Sequence, residues 1–160
     1  MSSAERESGQ TAADRAAVDE GRRQIAENVR LALEKLGPIS EIDFGLNRES
    51  VQWVEGFVER QRAQPGFDPA RLSGLIGVVG SFLGECIVAR TTGGWHWSAT
   101  DGSWGVRFDD GSVAFPFAKT RKLFADGVAG GDSILSFYDV AVDHLATGQF
   151  RRATGEPGTS

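Results

Sequence analysis

The spacing of apolar side chains changes along the chain and marks out its elements. From about Asp14 to Leu36, Val18, Ile25, Val29, Ala32 and Leu36 recur at spacings of seven, four, three and four. That is one stripe of a helix. Glu20, Arg23, Glu27, Arg30 and Glu34 occupy its other faces. Gly37-Pro38 predicts its stop, because glycine accepts a left-handed cap and proline cannot continue the ladder. The stripe needs cover, either from the domain core or from a second copy of itself, so a homodimer through this helix is one expectation. Residues 1–13 and 151–160 are polar, small and charged. They read as disordered tails that cannot bury enough surface to offset ordering entropy.

Ile39 to Leu46 reads as a partly buried extended connector, and Asn47 is placed to cap the next helix, about Arg48 to Ala63. Val51, Val54 and Val58 form its apolar face, which Trp53 and Phe57 widen, and Pro65-Gly66 ends it. Asp68-Pro69 opens a third helix in the preferred order of cap and then proline. This helix reaches about Arg90 and is apolar over most of its circumference, as a central helix should be. It also carries Gly74, Gly77, Gly80 and Gly84 along roughly one side. Each costs about 1 kcal/mol relative to alanine, which predicts the close approach of another backbone.

The period then shortens to two. Trp95 to Ser98, Trp104 to Phe108 and Val113 to Phe115 read as strands separated by the turns Thr100-Asp101-Gly102 and Asp109-Asp110-Gly111. Trp95 and Trp97 share one side of the first strand, and His96 and Ser98 the other. Two helices follow, Phe117 to about Ala125 and Ser133 to about Ala146, the second capped by Asp132. Strands in a block predict an α+β fold. It has a helical N-terminal half, a three-stranded antiparallel β-meander and two C-terminal helices, within a single domain over residues 14–150. The sheet's apolar face should lie on the glycine-bearing helix.

Composition narrows the function classes. The chain has 160 residues, one cysteine, two histidines and a net charge of −5. A lone Cys86 excludes a disulfide within the chain and a multi-cysteine zinc site. No metal or cofactor is expected. Nucleic acid repels such a chain unless its basic residues cluster, and Arg22-Arg23, Lys119 to Lys122 and Arg151-Arg152 are short and flanked by acids. No apolar run is expected to approach the ~20 residues of a membrane span. The amino terminus lacks an apolar signal core. The expectation is a cytoplasmic protein with neither nucleic acid nor membrane as partner.

Candidate chemistry is sparse. Glu85 lies among Leu83, Cys86, Ile87 and Val88, the desolvated setting of a general base. With His96 or Arg107 assisting, it would make a small hydrolase or ligand-binding enzyme. The competing reading pairs it with Arg90 or Arg107. Cys86 and His96 lack any surrounding cysteine-hydrolase motif, and His144 has only Asp143 beside it. The glycines follow no strand and precede no Gly-Lys-Ser or Gly-Lys-Thr, so no phosphate loop is read. Asp101, Asp109 and Asp110 fit turn chemistry better than a calcium loop. Trp95, Trp97 and Trp104 crowd the meander with Phe108, Phe115 and Phe117. Such aromatics fill a core seam, anchor a protein partner, or stack on sugars in a carbohydrate-binding module. Trp95, Trp97 and Trp104 with Asp109 and Asp110 form the candidate binding surface, whose acids suit a basic partner.

Four stretches, Gly80-Ser-Phe-Leu-Gly84-Glu85, Gly94-Trp95-His-Trp97, Trp104-Gly-Val-Arg-Phe108 and Phe115-Pro116-Phe117-Ala-Lys119, resemble a group of small uncharacterised bacterial domains. Asp132-Ser-Ile-Leu-Ser-Phe-Tyr138 is similar to their closing helix. The resemblance covers about Leu72 to Leu145. It carries no assigned activity. Some proteins of this size and layout sit beside toxins, so it implies a non-enzymatic immunity or adaptor protein for a bacterial toxin or effector.

Overall fold

The computed structural model describes the backbone of residues 3–147 and the side chains of residues 12–143. Helix α1 spans Ser3–Ser40 and runs past both expected limits. At its start, residues read as a tail continue the helix, since each added residue gains one hydrogen bond once a nucleus exists. At its end, Pro38 lies inside the helix. Gly37 has no Cβ to clash with the proline ring, so the helical conformation survives before it. The Ser40 hydroxyl donates to the Gly37 carbonyl at 2.7 Å and accepts from the Ile42 N–H at 3.3 Å. Glu41 then takes φ 59°, the left-handed cap position that glycine usually fills. Glu41→Gly is expected to raise stability by about 0.5–1 kcal/mol, read as an increase in the urea midpoint. Residues 151–160 lie outside the described residues.

Helix α2 spans Arg48–Arg62 and α3 spans Pro69–Arg90. Both caps act as their residue types predict: Asn47 Oδ1 accepts from Ser50 N–H at 2.9 Å, and Asp68 Oδ1 from Ala70 N–H at 3.0 Å. Strands β1 (Gly94–Ser98), β2 (Ser103–Arg107) and β3 (Val113–Ala114) form one antiparallel sheet in that order. Helix α4 (Pro116–Asp126), a short 3-10 turn and α5 (Ile134–Thr147) close the chain. The architecture is α+β, with the meander between a helical N-terminal half and two C-terminal helices.

The centre of α3 is the centre of the core. Val79, Phe82, Leu83, Cys86 and Ile87 are sealed from solvent, together with Val51, Val54 and Val58 of α2, Leu123 of α4 and Ile134 of α5. The connector joins this core because Phe44 stacks on Phe82 at 5.1 Å. By length and composition alone α3 is long and apolar enough to cross a membrane, although Arg71 and Glu85 interrupt its apolar residues.

The glycines of α3 are explained differently from the expectation. A Cβ on Gly80 would fall on the Phe117 ring, and one on Gly84 on the Trp95 ring, while Gly74 faces open space. Aromatic side chains from α4 and β1, not a neighbouring backbone, fill the notches. At Gly77 the neighbour is Asn28 of α1, whose Nδ2 donates to the buried Ser81 hydroxyl at 3.2 Å.

Charges on α2 hold the carboxy-terminal helices. Glu55 Oε1 accepts from the Ser133 hydroxyl at 2.5 Å and from Leu135 N–H at 3.2 Å, a carboxylate at the positive end of α5. Glu59 Oε1 accepts from Val128 N–H at 2.8 Å, and Arg62 donates to the Phe124 and Ala125 carbonyls that end α4. Ser133, whose Oγ accepts from Ser136 N–H at 3.1 Å, makes the capping bond expected of Asp132. Asp132 pairs with Lys119 at 3.2 Å instead.

Candidate functional site

Strand register sets which aromatics meet. Trp97 stands directly opposite Trp104, and Trp95 opposite Val106. Residues two apart share a face, so all four look toward the helices, and His96, Gly105 and Arg107 project from the other face. The two ends of that helix-side face differ. Trp95 enters the Gly84 notch, lies 5.9 Å from the Phe117 ring and donates its indole N–H to Glu85 Oε2 at 2.9 Å. It is packing. Trp97, in contrast, is 38% exposed.

Trp104 seats its ring against Gly21 of α1, where an added Cβ would lie 2.7 Å from it. Arg22 covers the same ring, 5.4 Å from its centroid, and donates to the Trp95 carbonyl at 3.1 Å. The Trp97 and Trp104 rings are 5.9 Å apart and inclined at 59°. A cleft lies on each side of this pair. One, of about 520 Å³, runs along Leu72, Ile76 and Gly77 of α3 and is bounded by Phe117 and Arg121 of α4. The other, of about 600 Å³, is walled by Asp14, Ala17 and Val18 of α1. Among the described residues, Arg121 is the one charged lining residue of the first and Asp14 of the second.

The remaining sequence candidates sit apart. Asp109 and Asp110 occupy the turn at the far end of β2, about 16 Å from Trp104 at ~3.3 Å per residue. Asp109 accepts from the Thr92 hydroxyl at 2.9 Å, and Asp110 accepts from the N–H and hydroxyl of Ser112. Glu85 faces the sheet from the helix side and its partner is Trp95, not Arg90 or Arg107. His96 and Arg107 lie across the sheet from it by register. Cys86 is fully buried, and burial, followed by the Glu85 charge, pushes its thiol far above the ordinary range. The side chain of His144 lies outside the described residues. Among those described, no three His, Cys, Asp or Glu residues group as a metal site would require.

Leu72, Ile76 and Arg121 were not among the sequence candidates, because their shared cleft arises from the packing of distant elements. Gly21 did leave a trace. It falls between Val18 and Ile25 at a position where the α1 stripe would carry an apolar side chain, a gap shaped for an aromatic ring. Comparison of the chain with protein-family models, with curated proteins and with solved structures gave no match, so the resemblance of residues 72–145 to small bacterial domains rests on its motif residues alone.

Proposed function

We propose that the chain is a non-enzymatic protein-binding domain that engages its partner through the Trp97–Trp104 pair. The observation that carries this reading is the exposed Trp97 ring, standing between two clefts with apolar walls. Tryptophan in such a setting is a favoured interface anchor, since it brings large area at little entropic cost. An immunity or adaptor role for a bacterial toxin or effector is the form the motif resemblance supports. Asp109 and Asp110 are remote from the tryptophans, so they supply no acidic surface to a partner held at this pair. The ring inclination of 59° disfavours the flat platform of a carbohydrate-binding module. The separation of Glu85 from His96 and Arg107 disfavours the hydrolase reading.

Selection of binders from a random 16-residue peptide display library tests the proposal. Peptides selected on the wild-type protein are expected to lose roughly 30-fold in affinity on Trp97→Ala, the effect of deleting an interface hot spot. The urea midpoint should stay near wild type. Selection that yields no binders, or binders indifferent to Trp97→Ala, overturns it.

A further inference from the structure

We infer that the occupant of the cleft between α3 and the Trp97–Trp104 pair is an amphipathic helix of a partner protein that carries a carboxylate opposite Arg121. This inference rests on the protein-binding reading above and names its partner's chemistry. The cleft wall on α3 is made by Pro69, Leu72, Ser73, Ile76 and Gly77. These positions recur at three to four residues, so they form one straight strip of about 12 Å at ~1.5 Å per residue. An apolar stripe with positions i, i+3 or i+4, and i+7 matches a strip of that length.

An extended peptide fits less well. Strand addition needs free backbone groups on a sheet edge. On β1, the edge strand nearest the cleft, the Trp95 carbonyl is already taken by Arg22 of α1. The cleft's lining is largely apolar, which favours an occupant whose own backbone is satisfied internally.

Charge sets the partner's sign. Arg121 is exposed, makes no ion pair among the described residues, and has no carboxylate beside it in the cleft lining. A partner cation there would face like charge in a largely apolar surround, whereas an Asp or Glu would gain a charge-assisted hydrogen bond. The chain as a whole carries −5, so the preference acts at Arg121 itself, within a Debye length of ~8 Å.

The same peptide selection, extended to Arg121 variants of the full chain, tests the inference. Winners are expected to share an apolar i, i+3/i+4, i+7 pattern with an Asp or Glu at one flank, and to gain helical circular dichroism on binding. Arg121→Glu should weaken them ~10-fold or more, while Arg121→Lys retains most of the affinity. Winners weakened by Trp97→Ala but indifferent to Arg121→Glu, or bound without becoming helical, overturn this inference and leave the protein-binding reading intact. Winners indifferent to both variants overturn both. A wild-type dimer in sedimentation velocity that Arg121→Glu dissociates assigns the cleft to a second copy, and that outcome also overturns the inference.

Discussion

Phe82→Ala is expected to lower the unfolding free energy by about 4 kcal/mol in urea denaturation. Phe82 is 1% exposed and lies on the helix that every other layer packs against. Removing the ring deletes its transfer free energy and leaves a cavity in a close-packed interior that relaxes only in part. The loss travels further than one side chain. Phe44 stacks on Phe82, Trp53 meets Phe44 edge-on at 5.9 Å, and Phe57 stacks on Trp53 at 5.7 Å. Tryptophan emission, to which Trp53 contributes, should therefore shift in the folded variant. A loss below ~2 kcal/mol with unchanged emission would show that the site collapses around the missing ring.

Gly84→Ala and Gly74→Ala should move stability in opposite directions although both lie on α3. At Gly74 the new methyl meets nothing, so the gain is the helix propensity of alanine, about 1 kcal/mol. At Gly84 the methyl falls on the Trp95 ring. That ring cannot swing aside freely, because Glu85 holds its indole N–H and Phe117 lies beside it in the neighbouring notch at Gly80. Overpacking of this kind costs ~1–3 kcal/mol, and the net expectation is a loss of about 1 kcal/mol after propensity is credited. Equal shifts for the two variants in paired urea titrations would contradict the ring-in-notch packing.

Local signals carried well into the structure. Asn47 and Asp68 cap the helices they precede, the limits of α2 and α3 fall within a residue or so of the pattern, and the three strands pair in chain order. Each of these is decided by neighbours a few positions away. What was illegible depends on partners far apart in sequence. The four glycines announced a close approach but not that Trp95 and Phe117 would supply it. Glu85 announced a partly buried carboxylate but not that an indole would be its partner. Glu55, Glu59 and Arg62 carried no signal in the pattern, and they reach groups between 62 and 80 residues away. At the site, Trp97 and Trp104 were named by residue type and Trp95 was named with them. Only register and the position of α3 separate the exposed ring from the packed one. Gly37-Pro38 misled for a local reason: a glycine before proline removes the Cβ part of the clash that disfavours helix at that position.

The sealed position of Cys86 has a practical consequence. It holds the chain's single thiol, and a disulfide reagent reaches it only when the molecule opens. Labelling kinetics on the unmodified protein thus count excursions from the folded state without any engineered reporter, and each core variant carries the same internal clock.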